Sequence, residues 1–271
     1  MINELYFTST VKNCTLFLKE APNMAEKFYD ALAEEYHLIF EDWDRSISRQ
    51  GDVLDNLLSA EGIEKTSSLL DCSCGIGTQT LALAKKGYKI TASDISGKSI
   101  GRAKREAEQR QLDIPFFQAD MKELSSVHKE TFRAILSMDN ALPHLMDEKE
   151  CIKALKEVYS LLSGKGIFLF SIRNYDEILK EKPSSTLPAI RDHTITFQLW
   201  EWKQHSDIYN LRHFTMVEKD GDWSVSERNS QYRAYRREDL NQLLHKAGFR
   251  EVKWLLPEES GFYQPIAVAY K

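Results

Sequence analysis

The chain has 271 residues, of which 28% are charged, and it carries a formal net charge of −5 with a pI near 5.9. That length suits one central α/β domain with an elaboration, and it is ample for a buried core. The acidic balance argues against a phosphate-tracking surface, because nucleic-acid binding needs clustered basic charge. The short basic cluster Arg233, Arg236, Arg237 reads as a solvated helix start. No stretch approaches the roughly 18 apolar residues that span a bilayer, and the amino terminus lacks a secretory core, so a cytoplasmic protein without nucleic-acid or membrane partners is expected. Cys14, Cys72, Cys74 and Cys151 match neither a disulfide framework nor a zinc spacing, and no metal is implied.

In chain order, residues 1–23 are weakly patterned and read as an extension. From Met24 to Trp43, Phe28, Leu32, Tyr36 and Ile39 recur at helical intervals, which predicts one aromatic-rich helix. Ser68-Leu-Leu-Asp71 then runs into Cys-Ser-Cys-Gly-Ile-Gly, an apolar strand breaking into a glycine-bearing turn before a helix over Thr78 to Lys86. Strands follow at Lys89 to Ser93, Ile114 to Gln118, Phe132 to Met138 and Ile167 to Ile172. Helices are expected at Ser99 to Gln111 and Lys149 to Leu162. Short connections between alternating strands and helices predict a Rossmann-like α/β domain with a mostly parallel seven-stranded sheet, whose ligand sits beyond the strands' carboxyl ends.

From about Lys182 to Tyr235 the pattern switches to alternating apolar and polar residues, predicting antiparallel strands at Thr194 to Trp202, Asp207 to Glu218 and Trp223 to Tyr235. A helix over Glu238 to Ala247 and strands at Arg250 to Leu255 and Phe262 to Ala269 complete the chain. The expected division is therefore residues 24–181 with 236–271 as the nucleotide-binding domain, and 182–235 as an antiparallel lid over the ligand crevice.

The turn carries Gly75 and Gly77 with no third glycine before the helix. A dinucleotide needs a pyrophosphate site there, whereas S-adenosylmethionine has no phosphate and needs only a close main chain, so methyl transfer is favoured over hydride transfer. Asp94, closing the second strand, is placed to accept from a ribose, with a helix cap as its alternative. Asp120 and Met121 would flank the adenine.

Three segments give the chain its most specific likeness: Phe40-Glu-Asp-Trp-Asp-Arg-Ser-Ile-Ser-Arg49, Met138-Asp-Asn-Ala-Leu-Pro-His-Leu145 and Ile172-Arg-Asn-Tyr-Asp-Glu-Ile-Leu179. On these the chain resembles the glycine and glycine/sarcosine N-methyltransferases, class I S-adenosylmethionine-dependent enzymes. The resemblance runs from about Phe28 to the end and is weakest in the lid. It implies Tyr29 and Arg49 as contacts to the methionine carboxylate, Ser73 as a turn contact, and Met138 and His144 beside the methyl group. It also implies Asn140 and Arg173 as the groups that hold a small amino acid; a purely structural ion pair with Asp176 or Asp139 is the alternative for Arg173. The family's lid tyrosine falls on His213, a departure that leaves the third substrate contact open. The implied reaction is methylation of glycine or sarcosine towards betaine, with S-adenosylhomocysteine as the other product and His144 or His213 receiving a proton. Another small amine, such as dimethylglycine or an amino sugar, is the alternative substrate, and a cofactor-sensing module without turnover is the alternative class.

Overall fold

The structure, a computed structural model, describes residues 23–271. Residues 1–22, almost all of the expected extension, lie outside the described residues, as does Cys14. Two sheets organise the chain. The first has seven strands: β1 (Ser68–Asp71), β2 (Lys89–Asp94), β3 (Phe116–Gln118), β4 (Phe132–Ser137), β5 (Leu162–Ser171), β10 (Glu251–Leu255) and β11 (Ile266–Tyr270), in the order β10-β11-β5-β4-β1-β2-β3. β11 runs antiparallel to both of its neighbours, and the remaining pairings are parallel. The order reverses beside β1, so the crevice opens where β1 and β4 end, as expected for an open α/β sheet. The central strands are apolar because helices cover both faces: Leu69, Leu70, Ala134, Ile135, Leu136 and Phe168 are fully buried.

The helices are α1 (Met24–Leu32), α2 (Trp43–Ala60), α3 (Thr78–Lys85), α4 (Gly97–Gln109), α5 (Leu124–Val127), α6 (Glu148–Leu161), α7 (Tyr175–Glu181), α8 (Arg237–Ala247) and α9 (Pro257–Ser260). The single helix expected from Met24 to Trp43 is a correction: α1 stops at Leu32, a 3-10 turn follows at Tyr36–Ile39, and α2 starts afresh at Trp43. The cause is Asp42, whose carboxylate accepts from the Arg45 amide and caps a new helix, while Ile47, Leu54 and Leu58 continue its own apolar stripe. The strand expected from Ile167 begins at Leu162, taking in Ser-Gly-Lys-Gly through a register shift against β4. The last strand starts at Ile266, and Phe262 and Tyr263 lie in the preceding turn.

The second sheet is the expected antiparallel insertion, with β6 (Ala189–Arg191), β7 (Thr194–Trp202), β8 (Ile208–Lys219) and β9 (Asp222–Arg233) in order. Period-two alternation gives it an inward face. Register places Gln198, His213 and Arg228 in one row across this face, and Trp202, Tyr209 and Tyr232 in another. Arg233, Arg236 and Arg237 each meet an acid, respectively Glu148, Asp207 and Asp176. Among the described residues no helix is long and apolar enough to cross a membrane, and no cluster of side chains could hold a metal.

Candidate active site

The turn after β1 is built by its backbone. Gly75 and Gly77 have φ of +53° and +100°, and a Cβ on Gly75 would meet nothing within 4 Å, so the main chain lies open to a ligand there. A Cβ on Gly77 would press on Leu81 at 3.2 Å. Asp71 holds the turn to α3: its buried carboxylate accepts from Thr80 Oγ1 at 2.6 Å and from the Ser73 amide at 3.3 Å. Burial pushes Asp71 up to about 7.

Against this turn lies a cavity enclosing about 820 Å³ with its mouth. Tyr29, Ser73, Gly75, Asp94, Asp120, Met121, Met138 and His144 all line it, so eight of the nine residues expected around the cofactor come together. Arg49 does not: it is exposed and lines a neighbouring groove with Arg45 and Tyr263. Asp94 accepts from the Gly75 and Ser96 amides at 2.8 Å each, and burial raises it to about 6. It is not the cap of α4, since Ser96 fills that position and accepts from the Ser99 amide. The room beside Gly75, a carboxylate at the end of β2 and the apolar wall of Met121 and Met138 fit an adenosine bearing a methionine chain.

A second cavity, about 690 Å³ with its mouth, lies under the lid. Asn140, Arg173 and His213, the three residues expected to hold the substrate, line it, while Tyr29, Tyr36 and Asp139 belong to both cavities. Asp139 and Asn140 follow β4 with φ of +57° and +71°, two consecutive left-handed residues. The reason is local: the Asp139 amide donates to Ser171 Oγ and the Asn140 amide to the Ser171 carbonyl, which swings both side chains into the crevice. Asn140 Oδ1 then accepts from the Arg173 amide at 3.0 Å, and its Nδ2 donates to Tyr175 Oη at 3.0 Å.

The Arg173 guanidinium donates to Tyr209 Oη at 2.8 Å and to Gln198 Oε1 at 3.1 Å, with Trp200 and Tyr232 rings 4.8 and 5.5 Å away. Neither suggested ion partner is used: Asp176 pairs with Arg237, and Asp139 accepts from Gln79 and Tyr263. Among the described residues no carboxylate pairs with Arg173.

His144 Nε2 sits 3.0 Å from Tyr29 Oη, and the His144 ring lies 4.1 Å from that of Tyr232. Burial, helped by the Arg173 charge, pushes His144 down to about 3. His213 is likewise lowered, to about 4, by burial and then by the charges of Arg228 and Arg173. Both imidazoles are neutral near neutral pH. Tyr36, Gln79, Gln198 and Tyr263 are site residues that sequence reasoning missed, and no local pattern marks them.

A model described as a methyltransferase domain matches residues 69–166. The glycine/sarcosine N-methyltransferase of Parasynechococcus marenigrum is 29% identical over 164 residues, covering 60% of this chain and 56% of that protein, so the match spans little more than half of the relative's length. The enzyme of the same name from Aphanothece halophytica is 22% identical over 87% of this chain and 84% of its own. Among solved structures, the sugar N-methyltransferase KedS8 from Streptoalloteichus shares the fold with a TM-score of 0.71 at 15% identity, covering 99% of each chain. Sheet order, the glycine turn and the domain match over residues 69–166 support a class I S-adenosylmethionine-dependent methyltransferase.

Proposed function

We propose that this protein transfers the methyl group of S-adenosylmethionine to the amine of glycine or sarcosine, making N-methylated glycines on the way towards betaine. The observation that carries the reading is Arg173, a guanidinium at the end of an apolar strand that faces the second cavity with no carboxylate partner among the described residues. A sequestered charge without a counter-ion is costly by several kcal/mol, about 3–5 when a partner is missing, and an acceptor's carboxylate would supply that partner. The similar enzymes from Parasynechococcus and Aphanothece support the same substrate class.

When bound, the cofactor supplies an activated methyl on a sulfonium, so no nucleophilic side chain is required. The chain's residues bind and align. Asp94 would accept from the ribose hydroxyls, Asp120 and Met121 would flank the adenine, and Ser73, Gly75, Met138 and Tyr29 would fix the methionine portion. Arg173 would hold the acceptor's carboxylate, with Asn140 fixing the main chain of Arg173 and keeping one amide N–H for the acceptor. His144 would orient Tyr29 between the two cavities. An imidazole lowered to about 3 is a poor proton acceptor, so the acceptor amine is expected to arrive deprotonated. Holding both reactants in line is the main source of rate.

The competing reading is a bulkier amine such as an amino sugar. The test is transfer of labelled methyl from S-adenosylmethionine to glycine, sarcosine, dimethylglycine and an amino sugar side by side. Transfer to glycine or sarcosine is expected; transfer to the amino sugar alone would overturn the reading.

A further inference from the structure

At one end of the lid the apolar residues stand on the side away from the crevice. Along β7 the inward positions are Thr194, Thr196 and Gln198, while the outward ones are Ile195, Phe197 and Leu199. β9 repeats the inversion: Ser224, Ser226 and Arg228 point inward, Trp223 and Val225 outward. Period-two alternation marks the face that loses water, and the unbroken register fixes which face that is. Here the marked face is the outer one.

Pairing gathers these residues. Ile190, Ile195, Met216 and Val225 form one row across all four strands, and the next row joins Phe197 to Phe214, whose rings stack 4.9 Å apart. Among the described residues nothing buries this face: Ile190 is 72% exposed, Val225 58% and Trp223 48%, and the others are half-buried. Single apolar side chains are ordinary on a surface, whereas a contiguous row spanning a sheet marks an interface.

We propose that the outer face of the lid is a dimer interface, and that its occupant is the same face of a second copy of this chain. Strands of 9, 12 and 12 residues, at about 3.3 Å per residue and about 4.8 Å apart, offer roughly 500 Å² in projection. Two such faces supply roughly 1,000 Å² before the relief of the side chains is counted, the size at which specific association begins. The face also complements itself. A two-fold axis running along the strands between β7 and β8 sets Ile195 over the second copy's Met216, Phe197 over its Phe214 and Ile190 over its Val225. Apolar rows then meet apolar rows, and the two sheets pack aligned. Arg212, at the polar end of the face, already pairs with Glu201 and Glu227, so no strongly charged partner is called for. The inner side of β7 and β8 walls the second cavity through Gln198 and His213, which the second copy would back from outside. None of this depends on which amine is methylated.

The test is sedimentation of the full chain over a concentration series, with an expected mass about twice that of the 31.3 kDa chain. Ile195→Glu and Met216→Lys each put an unpaired charge at the centre of the interface, and each alone is expected to weaken dimerisation about a hundredfold or more. Affinity for S-adenosylhomocysteine within about twofold of the parent's shows that each variant is folded, since both positions face away from the cavities. Mixed in equal amounts, the two variants are expected to regain a dimer. The two-fold axis sets the glutamate of one chain over the lysine of the other and leaves the second contact between Ile195 and Met216 as in the parent. A parent that stays at 31.3 kDa up to about 100 μM, whatever else covers the face, overturns the proposal. So does a dimer that neither substitution weakens, or a mixture that stays monomeric.

Discussion

In the proposed reaction Asp94 would serve the cofactor and Arg173 the acceptor, so single side chains divide the two tasks. Arg173→Ala is expected to raise KM for glycine about a hundredfold, because charge-assisted bonds to one carboxylate contribute about 1.5–3 kcal/mol each, while cofactor affinity changes less than about threefold. Asp94→Ala should do the reverse, and equal effects of both changes on both ligands would contradict the division. Asp94 also sets a pH dependence. Its folded value is raised from 3.8 to about 6, so its contribution to the stability of the ligand-free protein is full below 3.8 and is lost as pH rises through about 6. Binding has the opposite sign, since ribose hydroxyls need the ionised form as acceptor. Affinity for S-adenosylhomocysteine, followed by calorimetry, is expected to weaken about tenfold per unit as pH falls below about 6. Asp94→Asn should bind more weakly and show no such slope. Asp71, raised to about 7, bonds to Thr80 and Ser73 and does not line the cavity, so it should not mimic the effect.

Among elements, the join between β1 and α3 is where backbone and side chain depend on each other most. Thr80→Val keeps shape but leaves a buried Asp71 oxygen without its 2.6 Å donor, which should lower unfolding free energy by about 1–3 kcal/mol in urea titrations. Gly51→Ala on α2 is expected to cost about the same, because the new Cβ would stand 2.7 Å from the Ala82 Cβ on α3. A loss under about 0.5 kcal/mol for either would show that the join relaxes freely. This join was legible in sequence, since a strand, two glycines and a helix occupy adjacent positions. The Arg173 strand end and the alternating lid were legible for the same reason. The break between α1 and α2 was not: Phe28, Leu32, Tyr36 and Ile39 keep a helical period across it, and the deciding signal is the cap at Asp42, a three-residue pattern that competes with a longer one. Nor was the shared wall of the two cavities, because Tyr29, Tyr36 and Asp139 come from separate segments that only tertiary packing unites. Arg49 stands apart from the other residues expected around the cofactor: on α2 it lines the outer groove with Arg45 and Tyr263.

Across the whole molecule, α1 is the piece that ties the two sheets together. Its Asp30 accepts from Ser96 Oγ at 2.6 Å and from the Lys98 amide at 3.1 Å on the cofactor side, while Arg228 of the lid reaches the Ala31 carbonyl and Glu35 just beyond it. Asp30→Ala should therefore loosen the cover over the first cavity, speeding release of S-adenosylhomocysteine in stopped-flow measurements about threefold or more with little change in global stability. An unaltered release rate would place the access path elsewhere. Tyr29 on this helix and Tyr36 just after it also wall the second cavity, so lifting the cover to exchange cofactor would open both chambers at once. An acceptor that has received one methyl is then free to leave before the next donor arrives. Successive methylations would be distributive, and the singly methylated amino acid would build up in solution ahead of the doubly methylated one.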